Sequence, residues 1–290
     1  MNDCGYTNKN ILNLNIIRKM NKNFLKRTRM LLAVVMLCVA FFMIKGCKHS
    51  DPFLNIGDEQ PLKPVTRSGE LSWDYPIKPG MESWNSLATE EERIAVVQVP
   101  ENILATLSPE EVVGLCITFP SFGHFTAWNT PQEGFVVMLS RYNILRHILS
   151  CNDVGGSLIA AYKDAGMTGF RTLPYSNEFW SLKLLYLELV LSQKEILQSM
   201  TPDEKFELIT EARSKYFEKI SNENFAGLPE MLFSFRIMVS ILDVEGYPEL
   251  MASPNRETIT EFISSGWLFD KELPISEIGR IIDNYINSKN

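Results

Sequence analysis

The chain predicts an all-α fold: an irregular multi-helix bundle preceded by an N-terminal extended strap. Three observations carry this. Helix-start signals recur as Ser108-Pro109-Glu110-Glu111, Thr130-Pro131-Gln132-Glu133, Thr201-Pro202-Asp203-Glu204 and Ser253-Pro254 with Glu257 nearby. Each puts a capping hydroxyl before a proline at the first helical position, with acids in or near the first turn. Two long apolar segments, Phe179 to Leu191 and Leu228 to Leu242, read as buried helices. No Asn-Gly or similar turn joins two alternating runs, so no hairpin is signalled. The starts are unevenly spaced, and no repeat period emerges.

The first element is a targeting segment. Lys22, Lys26, Arg27 and Arg29 precede an uncharged run from Met30 to Ile44, and Lys45, Gly46 and Cys47 follow it. A basic stretch, a short apolar stretch and a small residue at the cut are the parts of a secretory signal. The run is about 15 residues, against about 20 for a helix that crosses a bilayer, so a cleaved signal is expected over residues 1–46. Met20 is an alternative start. Cys47 at the first mature position makes the segment look like a bacterial lipoprotein signal, with Ile44 and Gly46 fitting that pattern and Lys45 departing from it. Residues 47–70, with Cys47 lipidated, form a proline-containing polar tether, and residues 71–290 a single all-α domain.

The strap is Trp73 to Gly80, WDYPIKPG, where two prolines and a glycine exclude helix. Trp73, Tyr75 and Trp84 are its large apolar groups. They read as packing across the helical body, or as an aromatic platform if they cluster exposed. A short helix is expected from Glu90 to Gln98. One continuous helix is expected from Pro131 to about Ser150, with Phe135, Leu139, Tyr142, Leu145 and Leu149 on its inner face. Pro202 to Ile220 reads as amphipathic, with Phe206, Ile209, Tyr216, Phe217 and Ile220 facing in and Glu211 pairing with Lys215. Arg236 is the only charge in the middle of its apolar segment. A buried arginine needs a partner, and Glu188 on the other apolar segment is the expected one. The last helix, about Ile275 to Asn287, would bury Ile278, Ile282 and Tyr285 or Ile286.

Charge and cysteine use narrow the function classes. Residues 1–46 carry eight basic residues and one acid, out of 28 and 35 in the whole chain. The chain from Cys47 onward therefore holds 20 basic and 34 acidic residues, a net of about −14. An acidic surface argues against nucleic acid, whose phosphates demand basic contacts. Cys116 and Cys151 lie near opposite ends of neighbouring helices, the second about 30 Å long, so a disulfide is not expected and both read as small buried hydrophobes.

The catalytic patterns of serine hydrolases, zinc proteases, thiol oxidoreductases, dinucleotide binders and P-loop enzymes are missing from the sequence. His147 and Cys151, four residues apart, could ligate a metal with further ligands, but a solvated histidine fits better. No cofactor or metal is expected. The best functional candidate is the loop Phe119 to Gly134, FPSFGHFTAWNTPQEG, with Phe122, His124, Trp128, Asn129 and Gln132 as candidate binding residues. The bland alternative is a packed inter-helix connection with buried aromatics.

Residues 73–165 resemble a family of uncharacterised exported lipoproteins of Bacteroidota. The resemblance rests on the Tyr75-to-Gly80 segment, on Trp128, Asn129, Gln132, Gly134 and Phe135, and on the following helix with Asn143 and Leu145. It implies an outer-membrane envelope lipoprotein and brings no activity or catalytic residue. The expected function is non-catalytic binding or scaffolding of a glycan, a peptide or an envelope partner, with the membrane engaged through the lipid anchor. The alternative is a glycan or peptide hydrolase that uses remotely placed carboxylates.

Overall fold

The computed structural model describes residues 72–165, 177–221, 228–268 and 271–289, all within one contact unit. The signal segment, Cys47 and the tether lie outside the described residues. Those residues form helices and turns without a strand, as the capping signals and apolar periods predict.

Short helices α1 (Glu82–Asn85), α2 (Glu90–Val96) and α3 (Glu101–Leu104) lead into α4 (Pro109–Ile117). A 3-10 turn, Phe122–Ala127, precedes α5 (Pro131–Arg141), α6 (Asn143–Ser150) and α7 (Gly155–Asp164). After these come α8 (Asn177–Leu191), α9 (Lys194–Ser199) and α10 (Pro202–Ser221). The last are α11 (Leu228–Val244), α12 (Pro248–Met251), α13 (Arg256–Ser265) and α14 (Ile275–Lys289). Helix α11 is the axis: every residue from Met231 to Leu242 is buried, and α8, α9, α10, α13 and α14 pack around it.

The caps form for the expected reason. Ser108 Oγ accepts from the Glu111 backbone N–H at 3.3 Å, and Glu111 Oε2 accepts from Ser108 N–H at 2.9 Å. Thr201 and Glu204 exchange the same pair of bonds, and Thr130 accepts from Glu133 N–H at 3.1 Å. Ser253 differs. Helix α13 starts at Arg256, and Ser253 instead donates to Glu277 at 2.6 Å and accepts from Asn255 N–H. It therefore ties the α12–α13 turn to α14.

The helix expected over 131–150 is two helices. Tyr142 has φ −119° and ψ 121°, extended backbone that ends α5 and starts α6. The cause is a long-range amide pairing. Asn143 Oδ1 accepts from Val99 N–H at 3.1 Å, and its Nδ2 donates to Val99 C=O at 2.6 Å. Gln98 adds a bond from Asn143 N–H to its side chain at 3.2 Å and donates to Arg141 C=O. The break turns Ile144 and Ile148 inward beside Tyr142 and Leu145, while Leu139 and Leu149 are only half-buried.

Helix α10 is also set differently. Its buried stripe is Leu208, Ile209, Ala212, Lys215 and Lys219, while Phe217 is 46 % exposed beneath the Arg213 guanidinium. Cys116 and Cys151 are free thiols. Cys116 is buried and Cys151 half-buried.

Candidate functional site

The strap and the 119–134 loop meet in one run of aromatic contacts. Trp73 and Tyr75 pack edge to face with centroids 5.1 Å apart; Tyr75 and Phe119 follow at 6.1 Å, and Phe119 and Tyr142 at 4.7 Å. The Tyr142 hydroxyl ends the run on His124 Nδ1 at 3.0 Å. Tyr75 donates its hydroxyl to Leu115 C=O at 3.1 Å. Burial pushes the Tyr75 phenol well above its usual range, so it stays neutral and a donor. Trp84 is buried, Trp73 half-buried. The strap residues thus pack against the body, where large rings contribute most.

In the loop, Phe122 and Phe125 are buried beneath the 3-10 turn, against Tyr186 of α8. Gly134 makes this possible. A Cβ there would stand 2.2 Å from Phe125 C=O, so only glycine lets α5 approach the turn. Trp128 is half-buried, and Thr126, Ala127 and Asn129 are exposed. Of the five candidate loop residues, then, Phe122, His124 and Gln132 are held by the framework, while Trp128 is half-buried and Asn129 exposed.

Gln132 opens onto a junction that the sequence did not suggest. Its side-chain amide pairs reciprocally with that of Gln193, at 2.9 and 3.1 Å. Arg236 Nη2 donates to Gln132 Oε1 at 2.5 Å and to Ile263 C=O at 2.9 Å, and Nε donates to the same carbonyl at 3.1 Å. Arg236 thus joins α11 to the start of α5 and the last turn of α13. Burial lowers its guanidinium to about 10.

The expected Arg236–Glu188 pair does not form, because Glu188 is taken. Both Glu188 oxygens accept from Lys219 Nζ at 2.6 and 2.7 Å. Tyr162 and Ser234 donate to Glu188 Oε1 at 2.7 and 2.5 Å, and Lys219 also reaches Ser234 Oγ at 2.8 Å. The Glu188 and Lys219 side chains are fully buried. Lys215 lies beside this cluster, 4.9 Å over the Tyr162 ring and 3.4 Å from Glu211. A lysine, a serine and a carboxylate in bonding contact resemble a catalytic set, but here each is sealed from solvent and saturated by the others. The missed signal was spacing: Leu208, Ala212, Lys215 and Lys219 recur at steps of four, three and four, an inward stripe whose two lysines read as polar.

Lys183 and Tyr186 line a small cavity of about 50 Å³ with Ile117, Ala161, Leu184 and Leu187. Burial lowers the Lys183 ammonium to about 8 and raises the Cys116 thiol, which lies 3.3 Å from the Tyr186 hydroxyl, to about 12. Among the described residues no group of three His, Cys, Asp or Glu side chains could hold a metal, and no helix is long and apolar enough to cross a membrane. No known protein family, curated protein or solved structure matches this chain.

Proposed function

We propose that the mature chain is a lipid-anchored protein of the bacterial outer membrane. Acylated Cys47 would hold it through the tether, and it would bind or scaffold a glycan, a peptide or another envelope protein without catalysis. The membrane part rests on the basic, apolar and cysteine segments of residues 22–47. The binding part rests on one observation: the 119–134 loop is fixed from beneath by Phe122, Phe125, the His124–Tyr142 bond and the Gln132 junction, and on that base Trp128 is partly exposed and Asn129 exposed. A partly exposed ring beside an exposed amide, on a loop with little freedom left to lose, suits recognition of a polar polymer or peptide. Several carboxylates are committed to the framework. Glu92, Glu111 and Glu204 close helix starts, and Glu188 is sealed on Lys219. That weighs against the hydrolase alternative.

Two measurements test the reading. Cys47→Ser should abolish incorporation of labelled fatty acid and release the protein from membranes; persistent membrane association would sink the lipoprotein part. Trp128→Ala and Asn129→Ala should weaken capture on an array of envelope glycans and peptides while leaving thermal stability near that of the parent. Unchanged capture by both variants would remove the loop from the binding surface.

A further inference from the structure

We draw no further inference here: the strongest candidate, the open groove between α10 and α14 lined by Arg213, Ser214, Phe217 and Ile286, carries nothing because no feature of the structure shows what covers it.

Discussion

Lys219 occupies a stretch of sequence, SKYFEKIS, that reads as a solvated face, yet it is 1 % exposed and bonded to Glu188 and Ser234. Desolvating both charges cancels much of their attraction, so the pair is weak evidence for stability while its disruption is costly. Lys219→Met alone should destabilise by about 3–5 kcal/mol in urea unfolding, because it strands a buried carboxylate. Adding Glu188→Leu should return much of that loss. A double variant as unstable as the sum of the singles would show that the two residues act independently. Neither role was legible from sequence. Partner choice for a buried charge is decided by which helices touch, and α10 rather than α8's other neighbours delivers the cation to Glu188. Arg236 was legible as a buried charge in need of partners, but a carboxylate was the wrong expectation: the last-turn carbonyl of α13 and the Gln132 amide reach it instead.

Capping chemistry fixed the elements most legible in the sequence. Four residues starting with Ser108, Thr130 or Thr201 contain all the atoms that close a helix start, so local reading sufficed. Thr201→Ala should cost about 1 kcal/mol, measured by urea unfolding, since it removes the acceptor for Glu204 N–H. The break at Tyr142 was not legible, because its cause lies on another segment. Periodicity through 131–150 permits one helix, and only the docked Val99 backbone makes two helices better. Gly134 shows the same limit in the candidate loop. Its sequence neighbours fit an ordinary first helical turn, while its real constraint is the Phe125 carbonyl 2.2 Å from any added Cβ. Gly134→Ala should therefore destabilise by at least about 1–3 kcal/mol by forcing α5 away from the 3-10 turn. In a helix free of that contact the same change would stabilise. A gain in melting temperature would mean that the turn yields freely.

At the scale of the whole molecule, both pH limits follow from how its groups are buried. Tyr75, Tyr162 and Tyr186 have phenols held well above their usual range, foremost by burial, and burial raises Cys116 to about 12. These groups ionise first in the unfolded chain, so their contribution is intact below about pH 9 and declines as pH rises toward the folded-state values. Alkaline unfolding followed by circular dichroism should coincide with phenolate absorbance; phenolate appearing well before unfolding would contradict the burial. On the acid side, bonds from Ser72 and Ser108 hold Glu111 below the usual carboxylate range, as Ser253 and Asn255 do for Glu277. Their contribution is present above about pH 4.5 and is lost as pH falls through those lowered values. The pairing of Asn143 with Val99 has a consequence in time. The Val99 amide belongs to no helix, and its hydrogen is held by a side chain 44 residues along the chain. Its exchange with deuterated water is therefore slowed only when two distant segments have met. That single proton can serve as a clock for late assembly, separate from the earlier closure of helical turns on either side.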